Sequence, residues 1–244
     1  EDQEDKTFTQ ELRLVSTGDG PFNWIVGGFY SKFEIDQVLQ EFVPGLDEFV
    51  AQAFPEIWRG LLRPDALEYY QTVDDELTET AAFGELGYQF TDAWQVTVGA
   101  RWFKFEEDFK GGVAQPFGAT VFGGAPPDSI FIDEVAADTD DDDVIYKFNT
   151  SYDFSDDLMA FITISEGYRV GGINAVPQCN ENTLGQTPCA LPNEVLIKSD
   201  TTTNYELGMH SQWGDSVIFN GSLYYVDWDD IQVGDILENG GIPI

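Results

Sequence analysis

Alternating apolar and polar residues occur in paired runs along this chain, and a two- or three-residue turn joins the members of each pair. The turns fall at about 18–20, 91–93, 155–157 and 214–215. Gly, Asp and Ser occur there, and these residues tolerate the positive φ of tight hairpins or hydrogen-bond to their own backbone. Polar segments at about 37–79, 108–143 and 171–200 separate the pairs. The pattern predicts four β-hairpins with short connections at one end and long ones at the other.

Strand alternation assigns the side chains to two faces of the predicted sheet, because successive side chains in a strand point to opposite sides. Five polar residues fall together on one of these faces: Arg13, Arg101, Lys147, Glu206 and His210. The other face is apolar in the best example, which carries Trp94, Val96, Val98, Ala100 and Trp102. We predict eight strands, at about residues 7–17, 21–36, 80–90, 94–107, 143–154, 158–170, 201–213 and 216–233.

The lengths and ends of these runs separate a membrane-spanning sheet from a soluble sandwich, which also alternates. Runs such as 94–105 and 143–154 are about a dozen residues long, near the ~10 that a tilted strand needs to cross hydrocarbon. Several Trp and Tyr residues lie near the strand ends, where aromatic girdles sit. No run of eighteen apolar residues occurs, so a membrane role has to come from strands. The predicted fold is all-β, an antiparallel transmembrane β-barrel segment in a bacterial outer membrane, with short periplasmic turns, long extracellular loops and a lipid-facing apolar side.

The charge of the chain excludes nucleic acid as a partner. The formal net charge is −34, with 11 Lys and Arg residues against 45 Asp and Glu, whereas phosphate binding depends on basic residues. The acid is concentrated in the long connections, and one run comprises Asp140, Asp141, Asp142 and Asp143. Two interpretations stay open for this run: a solvated, self-repelling surface, or a site for a divalent cation such as Ca²⁺, which takes several carboxylate oxygens.

Cys179 and Cys189 are the two cysteines of the chain and lie in one long, proline-containing connection. A disulfide that closes this small loop fits an oxidising compartment and the outer side of a barrel. The alternatives are unpaired thiols or a metal site, although no His or third Cys lies near them in the sequence.

The connection 37–79 has helical character, since apolar residues recur at three- and four-residue steps between Leu46 and Leu62. Pro55 and Pro64 interrupt the pattern. We expect this segment to pack over the barrel mouth, and contact with a partner or an apolar substrate is the alternative.

The chain shows no catalytic motif, and we expect it not to be an enzyme. His210, the single histidine, lies in mid-strand with Glu206 on the same face, and no nucleophile elbow or phosphate loop accompanies it. This arrangement predicts a histidine in a polar network that lines the barrel lumen.

Short motifs across the chain resemble the barrel of TonB-dependent outer-membrane receptors. They are FTQELRL at 8–14, GPFNW at 20–24, GGFY at 27–30, AFGELGY at 82–88, GAR at 99–101, SEGYRVGGIN at 165–174, NYELG at 204–208 and YYVDWDDIQ at 224–232. They keep the order of the family and touch seven of the eight predicted strands. A resemblance of this kind implies a large barrel around a plug, which takes up scarce ligands such as ferric siderophores, cobalamin or glycans with energy from the TonB complex.

The resemblance covers about a third of such a barrel. This sequence contains no plug domain, no TonB box, no signal peptide and no terminal aromatic strand. Contact with TonB would therefore be made through the absent plug, and the small-molecule or metal-chelate ligand is not identified by these residues.

Two hypotheses remain at this stage. In the first, the chain is an internal piece of a transporter. In the second, it is a small closed eight-stranded barrel of structural or adhesive type. The first hypothesis predicts that the strands at the two ends of the chain have open edges, whereas the second requires them to pair with each other.

Overall fold

The protein, as a computed structural model, is described over residues 1–174, 176, 178–179, 189–214 and 216–234. Its elements follow the chain as β1 (Asp2–Val15), β2 (Phe22–Phe42), α1 (Leu46–Ala53), β3 (Leu67–Thr91), β4 (Trp94–Ala114), α2 (Pro116–Val121), β5 (Asp133–Ser155), β6 (Leu158–Arg169), β7 (Gly172–Ile173), β8 (Leu196–Ile197), β9 (Asp200–Trp213) and β10 (Val217–Asp229). Short β7 and β8 pair with each other, and the eight remaining strands form one sheet.

The large sheet is antiparallel throughout, and every strand pairs with the next long strand in the sequence, in the order β1-β2-β3-β4-β5-β6-β9-β10. The all-β prediction and the four hairpins are confirmed. Strands β1 and β10 are the two edges, and over the described residues they do not pair with each other. The sheet is therefore open, and the hypothesis of a small closed barrel finds no support.

Four strands run farther toward the long connections than the sequence pattern predicts. Strand β2 ends at Phe42 rather than 36, β3 begins at Leu67 rather than 80, β4 ends at Ala114 rather than 107, and β5 begins at Asp133 rather than 143. These extensions are rich in Asp and Glu, which are depleted from strands in general. They are strands nevertheless, because each pairs along its whole length with a neighbour in continuous register, such as Asp36 with Asp74 and Glu106 with Asp140.

The first two long connections pack against each other. Helix α1 forms within the predicted helical segment and is followed by Pro55, while α2 has no counterpart in the prediction. Val50 of α1 joins Phe117 and Val121 of α2 in a buried cluster. The guanidinium of Arg63 is buried beside it and donates to the Thr120 hydroxyl and to main-chain carbonyls of the second connection. Val50, Leu46 and Trp58 of the first connection thus pack on the neighbouring connection, whereas other apolar residues of the same segment are exposed, namely Phe49, Phe54, Ile57 and Leu62. Among the described residues, no helix is long and apolar enough to span a membrane.

Candidate functional site

The five polar residues predicted to share a face do lie on one face of the sheet. Directly paired residues point to the same side, and the register links Arg13 through Gly27 and Phe83 to Arg101. Lys147 follows from its pairing with Gly99, and the pairing of Ser165 with Asn204 places Glu206 and His210 on that side as well. We call this the inner face, and the opposite one, which carries Val98 and Trp102, the outer face.

Three of the five residues line one open cleft of about 320 Å³ on the inner face, and each has an acidic partner. Arg13 pairs with Glu11, Arg101 Nη2 lies 2.7 Å from Glu79 Oε1, and Lys147 Nζ lies 2.9 Å from Glu85 Oε2. The guanidinium of Arg101 also lies over the ring of Phe29, 5.1 Å from its centroid.

Sequence reasoning found the basic members of these pairs and missed Glu11, Glu79 and Glu85. Glu11 lies two residues before Arg13 on β1, so strand alternation alone places both on one face. The pairs with Glu79 and Glu85 join different strands and required the register between them.

The two remaining predicted residues lie outside that cleft. His210 Nδ1 is 3.0 Å from Asn220 Oδ1, and its ring stacks on Phe161 with centroids 5.5 Å apart. Glu206 is directly opposite Thr163 on β6 and Tyr224 on β10. No basic side chain of the described residues forms an ion pair with either, which gives them no acid–base partner for chemistry.

Toward the long connections the inner face becomes apolar. Phe103, Phe105 and Ala81 are buried in a cluster, against which Phe29, Leu77, Ile145, Tyr168 and Val170 pack. The rings of Phe103 and Tyr168 are parallel, with centroids 3.5 Å apart. The Tyr168 hydroxyl donates to Glu79 Oε1 over 2.7 Å, so the carboxylate that pairs with Arg101 also accepts a hydrogen bond from the tyrosine. The ion pair of Arg101 with Glu79 and the aromatic cluster are therefore joined in one surface of the inner face. We call the cluster the aromatic wall.

The third long connection lies against this wall. Val170 enters the aromatic cluster, and the Ser199 hydroxyl donates to Asp141 Oδ2 over 2.9 Å. Buried Asp200 accepts the guanidinium of Arg169 and the amide of Gln232. Both ends of the connection are therefore fixed to the sheet.

The cysteines of the third connection form a disulfide, Cys179–Cys189. It closes a loop over a sequence separation of 10. Residues 180–188 between them lie outside the described part of the chain.

The run Asp140 to Asp143, for which a cation site is one interpretation, does not lie in a loop. These residues belong to strand β5, where alternation sends Asp140 and Asp142 to the outer face and Asp141 and Asp143 to the inner one. Asp142 Oδ2 accepts the indole of Trp102 over 3.2 Å, and Asp140 lies 3.6 Å from Lys104. Over the described residues no group of three or more His, Cys, Asp and Glu side chains has a geometry that would hold a metal. The structure thus corrects the placement of these four residues from a loop to a strand, and a divalent cation at them stays a prediction.

The outer face changes from apolar to charged at one level across several strands. On β2 the outward residues pass from Tyr30 to Lys32, on β4 from Trp102 to Lys104, and on β5 from Val144 to Asp142. The register aligns the change on β4 and β5, since Trp102 is opposite Val144 and Lys104 is opposite Asp142. On β2 the change lies one outward position farther along, since Tyr30 is level with Lys104 through Thr80. On the side of the short turns, outward apolar residues such as Val98 and Leu207 are 46% and 55% exposed. A band of exposed apolar side chains thus ends at a sharp charged border.

Comparisons with known proteins agree with this architecture. A family model described as "TonB dependent receptor-like, beta-barrel" matches residues 2–242. Among solved structures, the ferric yersiniabactin uptake receptor FyuA from Yersinia pestis superposes with a TM-score of 0.69 at 18% identity, over 95% of this chain and 30% of the receptor. The ferric-catecholate import receptor Fiu from K12 E. coli gives a TM-score of 0.60 at 14% identity, over 99% of this chain and 33% of its own.

A third structure, the copper transporter OprC, gives a TM-score of 0.56 at 14% identity, over 91% of this chain and 30% of that protein. At these identities the likeness is one of fold. The chain spans about a third of the length of these proteins.

Proposed function

Because the chain belongs to the β-barrel family of TonB-dependent receptors, we propose that it forms one arc of the wall of a bacterial outer-membrane receptor. The whole receptor would take up a scarce ligand, such as a ferric siderophore, cobalamin or a glycan, in a TonB-dependent way. The TonB complex would act through the plug domain of the whole receptor.

The change of polarity on the outer face is the observation that carries the proposal. Exposed apolar side chains on successive strands cost free energy in water but are stabilised by hydrocarbon. The band from Trp94 to Trp102 on β4 is nine residues long, near the ~9 to 11 residues that a tilted strand needs to cross the hydrocarbon layer. Above the border, acidic and basic residues face outward, as a strand in water requires.

In this arrangement the outer face contacts lipid and the inner face lines the lumen. The Arg13, Arg101 and Lys147 pairs would then stand in a hydrated interior, which is where a wide barrel tolerates charge. The aromatic wall above them and the connections packed on it would form the outer vestibule that meets the ligand first.

Uptake measurements test this function. The whole receptor is expressed in a host that lacks its own receptors, and accumulation of labelled ferric siderophores, cobalamin and oligosaccharides is compared with and without an active TonB complex. We expect one ligand class to accumulate, and only when TonB is active. Equal accumulation without TonB, or accumulation of no ligand class, would contradict the proposal.

A further inference from the structure

Three lysines lie at the border of the apolar band on the outer face. They are the first outward residues beyond the band on β1, β2 and β4, and the last outward residue of the band is aromatic in each case. The three pairs are Phe8 with Lys6, Tyr30 with Lys32, and Trp102 with Lys104. An aromatic ring followed by an ammonium group thus recurs on three strands.

The three lysines also lie at one height once the tilt of the strands is considered. The register gives their positions relative to β3: Lys104 is opposite Thr80, Lys32 is opposite Thr78, and Lys6 is opposite Glu34, which pairs with Glu76. The border therefore shifts by four residues of β3, from 80 to 76, between β4 and β1, which are three strands apart. In a barrel whose strands tilt by ~40°, neighbouring strands ~4.8 Å apart are offset by ~4 Å, or ~1.2 residues, at constant height. The observed shift is the one expected of a row that runs parallel to the membrane plane.

Carboxylates flank this lysine row on the side away from the band. Lys6 Nζ lies 3.1 Å from Glu4, Lys32 Nζ lies 2.6 Å from Glu34 and 3.0 Å from Glu76, and Lys104 Nζ lies 2.8 Å from Glu106 and 3.6 Å from Asp140. Each acid lies one outward position farther from the band than its lysine. An ammonium group has three N–H donors, so over the described residues each lysine keeps at least one donor besides these ion pairs.

The height of the row decides what it can meet. Lipid headgroups lie where the hydrocarbon layer ends, and Trp and Tyr rings are enriched at that level. A lysine there buries its stem along apolar surface and keeps its ammonium group among the headgroups. Phosphate oxygens accept charge-assisted hydrogen bonds from such a group. The carboxylates beyond the row repel phosphate, and the hydrocarbon below excludes it, so phosphate is confined to the level of the lysines.

We propose that Lys6, Lys32 and Lys104 bind the phosphate groups of anionic lipids in the leaflet on the side of the long connections. Each ammonium group would donate to a phosphate oxygen, while the aromatic ring next to it contacts the start of the acyl chains. The three lysines come from β1, β2 and β4, so the lipids would line up along the outer wall.

This inference rests on the proposed function, because it requires the apolar band to lie in a membrane. It adds the charge of the lipid that the band's upper border meets and the residues that hold it. It does not depend on which ligand is transported, since the lysines lie on the outer face and the vestibule lies on the inner one.

Lipid binding by the whole receptor tests the row. The receptor is purified in a neutral detergent and titrated with phosphatidylglycerol or with phosphatidylcholine, and native mass spectrometry counts the lipids retained. We expect a preference for phosphatidylglycerol in the wild type. The triple variant Lys6→Gln, Lys32→Gln, Lys104→Gln should bind this lipid at least about fivefold more weakly, which is the contribution of one lysine near an anionic lipid surface. Arginine at the same three positions should keep the preference, because a guanidinium also binds phosphate.

Lys110→Gln is the matched control for Lys104→Gln, because Lys110 is an exposed lysine on the same face of β4, three outward positions beyond Lys104. Lys110→Gln should bind phosphatidylglycerol as the wild type does. An equal loss in both single variants would assign the preference to overall charge and overturn the proposal. Unchanged binding in the triple variant would overturn it too, since the lysines would then only neutralise the acids beside them.

Insertion into phosphatidylcholine vesicles, checked by gel mobility before and after heating, tests the proposed function separately. A receptor that inserts but shows no preference for phosphatidylglycerol contradicts the lysine row alone. A receptor that does not insert contradicts the lipid band, and the lysine row with it. Each variant is passed through the same insertion assay, so that weaker lipid binding is scored only in a folded barrel.

Discussion

The two halves of strand β4 use the same backbone in opposite ways. In residues 94–102, the apolar side chains Trp94, Val96, Val98 and Trp102 lie on the outer face, and Arg101 lies on the inner one. In residues 103–114, buried Phe103, Phe105 and Phe109 lie on the inner face, while Lys104, Glu106 and Asp108 face outward. The apolar set changes faces between two adjacent residues, and the register with β3 and β5 continues without a shift at that point.

The comparison shows what the alternation of apolar and polar residues indicates. It indicates whether each face of the strand is in an apolar or an aqueous environment, and it does not indicate on which side of the sheet a core lies. In the first half the apolar solvent is outside the sheet, as lipid would provide. In the second half water lies outside, so the sheet builds its apolar contacts on the inner side from its own rings and the third connection. A strand that leaves a membrane for water has to make this change.

Truncation of Phe105 should give the largest effect. Phe105 is 1% exposed in the second half of β4, and Phe105→Ala removes a buried ring from the aromatic wall. We expect a loss of about 3 to 5 kcal/mol in the free energy of unfolding, from lost burial and the cavity left behind. Urea unfolding of the whole receptor measures it. Phe131→Ala, at a ring that is 63% exposed, should stay near wild type. Equal losses in both variants would show that the second half has no apolar wall.

A charge placed on the outer face should give the second largest effect, because its free-energy cost should differ between the two halves. Val98→Arg puts a cation in the proposed lipid band, and we expect a cost of about 2 to 4 kcal/mol near the midplane. Ala136→Arg puts the same cation on the outer face of β5 in the second half, where water solvates it, and should be almost neutral. Folding into lipid vesicles under urea measures both. Similar costs for the two variants would argue against lipid on one side of the border and water on the other.

The pH dependence of the β7–β8 hairpin, which lies against Glu107, should give the smallest effect. Glu107 has a pKa raised from its ordinary 4.5 to about 7 by burial and by Asp75. The docked state then binds its proton more tightly than the undocked state. The stabilisation is complete below about 4.5 and is lost as the pH rises toward 7.

Cleavage by a protease at the third connection, measured between these pH values, should therefore increase with pH. Glu107→Gln should flatten the profile. Glu79 and Asp141 lie near Glu107 as well, so a profile unchanged in Glu107→Gln would assign the titration to them instead.

The sequence was most informative where a single face is apolar. Over residues 94–102 the alternation identified both faces, and the short turns fixed the hairpins. It was least informative over residues 67–79 and 133–142. Acidic residues are frequent there, and because they are uncommon in strands, the pattern did not predict a strand. It also found Arg101 and Lys147 without their partners Glu79 and Glu85.

The neighbouring acids Asp75 and Glu107 illustrate the same limit. Nothing in their spacing along the sequence relates them, and only the register between β3 and β4 brings them together. The acid-rich run at 140–143 attracted the metal prediction, although strand alternation divides it between two faces.

By itself, the sequence determined the all-β class, the four hairpins, the shared face of Arg13, Arg101, Lys147, Glu206 and His210, and the motifs of the receptor family. These depend on local chemistry, namely on turn residues, on alternation with a period of two and on short sequence motifs. Only the tertiary structure decided the length of the strands, the open edges at β1 and β10, the pairing of charges and the place of the third connection. Each of these depends on which strand lies opposite which, and hydrogen bonding between strands distant in sequence sets that register.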